Sequence, residues 1–93
     1  MGIDDWRNEI DAIDEELLRL VNRRARIAVR LGALKSVAGL PVADPARERD
    51  VLARARRDNE GPLDAEAVTR IFRRIIRESR RAEMQAAGTH AGG

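Results

Sequence analysis

The chain has 93 residues, of which 18 are basic and 16 acidic, for a net charge of +2. It has no cysteine, which excludes disulfide frameworks, thiolate metal sites and cysteine nucleophiles. Its one histidine, His90, lies in a tail rich in Gly and Ala, where we expect neither a catalytic base nor a metal cluster. Aromatic residues are too few for a base-stacking surface, and no apolar run approaches the roughly 18 residues of a membrane span, so we expect a soluble, cytoplasmic protein.

The first third of the chain is predicted to be one long helix. Large apolar residues recur every three or four positions along it and form an apolar seam of Trp6, Ile10, Ile13, Leu17, Leu20, Ile27, Leu31 and Leu34. Asp4 or Asp5 is a suitable N-cap, and Gly39 followed by Pro41 predicts the end of the helix. A seam about 50 Å long needs a partner of comparable length, and a second copy of the chain is the simplest one. The sequence therefore predicts an all-α homodimer.

Two shorter helices are predicted after breaks that contain Gly and Pro. The second begins at Asp44, an N-cap residue followed by proline, and runs to about residue 58. Asp64 is the predicted N-cap of the third helix, whose apolar face carries Val68, Ile71, Phe72, Ile75 and Ile76. Residues 87–93 lack periodicity and are predicted to form a disordered tail after a single helical domain over residues 1–86.

Two cations interrupt the apolar pattern of the first helix. Arg24 lies on the seam between Leu17 and Leu31, where a buried guanidinium must meet an anion. A buried salt bridge or a polar residue that sets the helix register would also explain it. Lys35, the only lysine, lies three turns further along nearly the same face, although a lysine near a helix end often just complements the helix dipole.

Five further polar residues lie on the inward faces of the later helices: Asp44, Arg47, Glu48, Ser79 and Glu83. Arg47 and Glu48 could instead form a surface pair, and Ser79 and Glu83 could mark the polar end of a helix. Together with the two cations of the first helix, they predict a polar pocket for a small polyanion, because arginine forks bind carboxylates bidentately.

A separate basic row is predicted on the outer face of the third helix: Arg70, Arg73, Arg74, Arg77, Arg80 and Arg81. Nucleic acid or an acidic partner could bind there, but such a row is more often a solvated face near a helix end. The nearly balanced net charge disfavours a nucleic-acid binder, so no nucleic-acid partner is expected.

Five segments in register resemble the all-helical AroQ class of chorismate mutases: WRNEIDAIDEELL (6–18), NRR (22–24), GALK (32–35), PVADPARER (41–49) and IFRRIIRES (71–79). The resemblance covers about residues 5–85. It implies an isomerase that rearranges chorismate to prephenate within one molecule, in the shikimate pathway to Phe and Tyr, without cofactor or metal. It also implies an intertwined homodimer with antiparallel first helices and two active sites.

The resemblance assigns the cations to the substrate. Arg24 and Arg47 of one chain, with Arg7 of the other, would bind its carboxylates, and Lys35 would contact the ether bond that breaks. Geometry agrees for Arg7, because it precedes Arg24 by 17 residues, which places the two roughly 25 Å apart on one helix. Arg7 therefore cannot share a small pocket with Arg24 of its own chain, whereas an antiparallel partner could bring it there.

The remaining polar residues would position the substrate. Glu48 would bind the substrate hydroxyl, with Asp44 and Ser79 in supporting positions, and Glu83 would face the ether oxygen beside the lysine. Only a protonated Glu83 can donate a hydrogen bond to that oxygen, so we expect activity to weaken as pH rises.

Two other functions stay open at this point. An isochorismate pyruvate-lyase has the same fold and a similar pocket, although the set of Asp44, Arg47, Glu48 and Ser79 looks more like a mutase. The second is a non-catalytic helical dimer that binds a partner enzyme, such as the one that opens the shikimate pathway.

Overall fold

Three helices make up the fold. The structure, a computed structural model, describes the backbone of residues 1–91 and the side chains of residues 1–88. The helices are α1 (Ile3–Val37), α2 (Pro45–Asp58) and α3 (Ala65–Ala91), and the described residues contain no strand. The predicted all-α class is confirmed.

The two ends of α1 differ in how well the sequence predicted them. Gly2 is the N-cap, and Asp5 lies in the first turn, where its carboxylate accepts a hydrogen bond from the Gly2 amide at 2.9 Å. The prediction that Asp4 or Asp5 is the N-cap is therefore wrong, and both carboxylates instead complement the helix dipole. The predicted end is confirmed, because the chain turns at Gly39 with φ of +72°, a conformation that glycine adopts without a Cβ clash.

Both shorter helices begin at the predicted caps. The carboxylate of Asp44 accepts a hydrogen bond from the Arg47 amide at 3.0 Å, and Asp64 accepts one from the Ala67 amide at 2.7 Å. α2 ends at Asp58 as predicted, but α3 continues to Ala91, beyond the predicted boundary at residue 86. Its last turns are rich in alanine, the strongest helix former, and a single glycine costs only about 1 kcal/mol. Residues 92–93 of the predicted tail lie outside the described residues.

The helices form one thin layer. α3 packs against both α1 and α2, whereas α1 and α2 do not pack on each other within the described part of the chain. The layer measures 54 × 30 × 15 Å. Of the residues whose burial is described, only Val68, Ile76 and Ser79 are buried, and all three lie on α3. One chain alone therefore has almost no enclosed core.

The face of α1 that packs on α3 is not the face that carries its largest apolar residues. The α1 residues that become half-buried are Val21, Arg24, Ala25, Ala28, Val29, Gly32 and Lys35. Small residues at several of these positions allow the two helix backbones to approach closely. The apolar seam lies beside this face and stays between 49% and 67% exposed. None of the helices, over the residues described, is both long and apolar enough to cross a bilayer.

Candidate active site

A cavity of about 270 Å³ lies where the second half of α1, the first half of α2 and the second half of α3 meet. Its size is close to the lower end of the range for small-molecule pockets, about 300 Å³. It is lined by all seven residues that were predicted to share a pocket within one chain: Arg24, Lys35, Asp44, Arg47, Glu48, Ser79 and Glu83. Apolar side chains from all three helices complete the walls, among them Ile27, Val51 and Ile76.

Arg24 is bound to a neutral partner. Its Nη1 donates a hydrogen bond to the hydroxyl oxygen of Ser79 at 3.0 Å, and Ser79 is only 5% exposed. No carboxylate lies within 4.0 Å of the Arg24 guanidinium among the described side chains, so Arg24 does not form a buried salt bridge within this part of the chain. The serine fixes the guanidinium without neutralising its charge.

Lys35 and Arg47 also keep their charges free. Lys35 is half-buried in the last turn of α1, and Arg47 is exposed in the first turn of α2. Neither forms an ion pair within the part of the chain that the structure describes. Together with Arg24 they place three cations without carboxylate partners around one small cavity, an arrangement that favours an anionic guest.

Two of the three acidic residues of the cavity have partners. Asp44 caps α2 through its hydrogen bond to the Arg47 amide. Glu48 is half-buried and accepts a hydrogen bond from Arg80 Nη2 at 2.9 Å, so Arg47 and Glu48 are not the surface pair that their spacing allowed. Neither carboxylate forms an ion pair with any of the three cations in the described part of the chain.

Glu83, the third acid, depends on a glycine of α1. A Cβ atom added at Gly32 would lie 2.9 Å from Glu83 Oε2 and 3.3 Å from its carboxyl carbon, closer than such atoms pack. The missing side chain of Gly32 therefore leaves the space that the half-buried Glu83 carboxyl occupies. A glycine inside a helix, where it costs about 1 kcal/mol relative to alanine, is the sequence signal for such a close approach.

Arg80 is a cavity residue that the sequence did not reveal. The sequence pattern places it in the outer basic row, but it lines the cavity and pairs with Glu48. Its place in a row of arginines at helical spacing concealed it, because a helix turns about 100° per residue and Arg80 and Arg81 therefore point in different directions. Other members of the row fit a solvated face: Arg70, Arg73 and Arg77 are exposed, and Arg74 and Arg81 pair with Glu78.

Arg7 is the predicted site residue that the fold of one chain does not bring to the cavity. It lies near the start of α1, its side chain is 74% exposed, and it forms an ion pair with Asp4 at 3.8 Å. It does not line the cavity.

The chain is similar in sequence to proteins of one family. Residues 6–84 match the family described as chorismate mutase type II. A bifunctional chorismate mutase/prephenate dehydratase of Aquifex aeolicus is 47% identical over 74 residues, which are 75% of this chain and 20% of that protein. The protein of the same name from Escherichia coli K12 is 42% identical over 78% of this chain and 19% of its own length. The chain thus spans about a fifth of the length of these relatives.

Solved structures show the same fold. A chorismate mutase (form II) of Thermus thermophilus superposes with a TM-score of 0.86 and 35% identity, over 88% of this chain and 93% of that one. A chorismate mutase of Helicobacter pylori in complex with prephenate gives a TM-score of 0.84 and 29% identity, over 92% and 93% of the two chains.

Proposed function

The chain belongs to the chorismate mutase type II family, and we propose that it rearranges chorismate to prephenate in the cation-lined cavity. The observation that carries this proposal is the set of three cations without carboxylate partners, Arg24, Lys35 and Arg47, around one cavity. Chorismate is a dicarboxylate, so its negative charges match these cations. Because the rearrangement takes place within one molecule, it needs no nucleophile or cofactor.

The cavity would catalyse the reaction by restricting the substrate and stabilising charge. Arg24 and Arg47 would bind carboxylates and hold the flexible side chain folded over the ring, which removes an entropic part of the barrier. Lys35 would stabilise negative charge on the ether oxygen as the C–O bond breaks, where a preorganised cation acts most strongly. Glu83 would donate a second hydrogen bond there in its protonated form.

The ring hydroxyl of the substrate needs its own partner. Glu48 would accept a hydrogen bond from that hydroxyl, because its half-buried carboxylate lines the cavity. Asp44 would act by capping α2, which holds Arg47 and Glu48 in place, and Ser79 would act by fixing the Arg24 guanidinium.

We also propose that the working form is a homodimer that shares Arg7 across its interface. The seam of α1 is about half exposed along its whole length, and the layer of helices is too thin to enclose it. A second copy packed antiparallel along this seam would cover it and bring its Arg7 to the cavity beside Asp44 and Arg47, which are exposed in one chain. A cytoplasmic location stays a prediction.

The first test is the disappearance of chorismate, followed in the ultraviolet, with the product identified. We expect prephenate from the wild type and a loss of about 100- to 1000-fold in kcat/KM for Arg24→Ala, since one preorganised donor is worth that much. Arg77→Ala, which removes an exposed arginine of α3 outside the cavity, is the matched control and should keep full activity. Pyruvate release from isochorismate in place of prephenate from chorismate would instead identify a lyase. No turnover of either substrate would favour a non-catalytic dimer.

The second test asks whether Arg7 acts across the interface. Arg7→Ala and Arg24→Ala chains, each nearly inactive alone, are mixed under conditions that exchange subunits. After random exchange, half of the dimers contain one chain of each variant. Each of these dimers has one site with both arginines intact, so about a quarter of wild-type activity should return. If activity stays absent after exchange is verified, Arg7 does not complete the partner's site.

A further inference from the structure

We propose that Arg80 is a positioning residue that holds the Glu48 carboxylate as the acceptor for the substrate hydroxyl. The observation is the contact of 2.9 Å between Arg80 Nη2 and Glu48 Oε2 inside the cavity wall. The two side chains are 38% and 32% exposed, so water only partly screens the pair. This inference rests on the proposed function and adds a residue to it.

Glu48 needs a partner of its own because it shares the cavity with three cations. A half-buried carboxylate whose partner is removed turns to the nearest cation, and here Lys35, Arg24 and Arg47 line the same space. Such a pair would occupy a cation that the substrate carboxylates require. By binding Glu48 from the α3 side, Arg80 leaves those three cations free.

Arg80 also fixes the distance between two walls of the cavity. α1 and α2 do not pack on each other in the described part of the chain, so α3 determines where α2 lies relative to α1. Two consecutive α3 residues make the polar links, Ser79 to Arg24 on α1 and Arg80 to Glu48 on α2. One turn of α3 thus holds both Arg24, which is assigned to a substrate carboxylate, and Glu48, which is assigned to the substrate hydroxyl.

The test uses Arg80→Met, which keeps the length of the side chain and removes its charge, and Arg80→Lys, which keeps one charged donor. The contact with Glu48 uses a single nitrogen, so lysine can replace it. The hydroxyl contact exists in both the bound substrate and the transition state, and its loss should appear in KM. We expect KM to rise about tenfold in Arg80→Met with kcat changed less than about threefold, and Arg80→Lys to recover most of that loss.

A chorismate analogue that lacks the ring hydroxyl separates positioning from a structural effect. Relative to wild type, Arg80→Met should lose less on this analogue than on chorismate, because Glu48 then has no hydroxyl to bind. Arg77→Met removes an exposed arginine from the same helix and should behave as wild type on both substrates. Helix content and dimer content are matched by circular dichroism and sedimentation.

The outcomes distinguish the two proposals. A wild type that does not convert chorismate overturns the proposed function and this inference with it. An active wild type with an unchanged Arg80→Met variant overturns the inference alone. The inference is also overturned if the loss in Arg80→Met appears only in kcat, or if it is equally large on the analogue without the hydroxyl. It is overturned as well if Arg80→Lys is as impaired as Arg80→Met.

Discussion

The two halves of α1 have opposite surroundings although they form one continuous helix. Every residue from Ile3 to Leu20 is exposed in the single chain, whereas from Val21 to Lys35 a face of α1 is half-buried against α3. The second half provides Arg24 and Lys35 to the cavity, and the first half carries Arg7 far from it. One chain thus builds most of the proposed site but leaves half of its longest helix without a partner.

This difference shows that two kinds of apolar face serve two kinds of contact. The face toward α3 contains Ala25, Ala28 and Gly32, which permit close packing within the chain. The seam consists of large side chains that stay half exposed and need a large complementary surface. The proposed dimer would use the seam, and the fold of the single chain uses the small residues.

A charge placed on the seam of the first half of α1 should have the largest effect. Ile13→Glu puts a carboxylate where the proposed partner helix packs. Burying an unpaired charge costs more free energy than the contact provides, so the dimer should not form. We expect a monomer in sedimentation velocity and a loss of at least about 100-fold in kcat/KM, because the partner's Arg7 is then missing. Asn8→Glu adds the same carboxylate to an exposed position off the seam and should stay dimeric and active. A fully active monomer of Ile13→Glu would contradict the proposed dimer.

Beside the second half of α1, Glu83 of α3 should contribute to catalysis as a hydrogen-bond donor to the ether oxygen. Glu83→Gln keeps a donor at this position, whereas Glu83→Ala removes it, so we expect Glu83→Ala to lose about tenfold in kcat relative to Glu83→Gln. Values of kcat for wild type, both variants and Glu78→Gln, an exposed control, measure this difference. If Glu83→Ala is as active as Glu83→Gln, Glu83 does not donate that hydrogen bond.

The smallest effect is expected at Gly32, where α1 lies against the Glu83 side chain of α3. Gly32→Ala places a methyl group 2.9 Å from Glu83 Oε2, so the carboxyl must move, and we expect about a fivefold loss of kcat. The free energy of unfolding should change little, because alanine is favoured over glycine in a helix by about 1 kcal/mol and this gain offsets the strain. Gly88→Ala, with no atom within 4 Å of its added methyl, is the matched control. Loss of the same size in a Glu83→Ala background would show that Gly32 does not act through Glu83.

The sequence predicted the helices well because their signals are local. The N-caps at Asp44 and Asp64 and the left-handed turn at Gly39 each depend on a few neighbouring residues. The start of α1 and the end of α3 were misplaced, because helix ends without a strong stop signal depend on small differences in propensity. The sequence indicated seven of the candidate site residues because charged or polar side chains stand out on apolar faces.

The amino-acid sequence is enough to predict the three helices and the polar residues that interrupt their inward faces, because periodicity and capping depend on residues a few positions apart. The pairing of Glu48 with Arg80 and the space that Gly32 leaves for Glu83 emerge only when the helices pack. Both contacts join residues far apart in the chain, and they depend on how closely α1 and α2 pack against α3. The periodicity of a single helix contains no information about that distance.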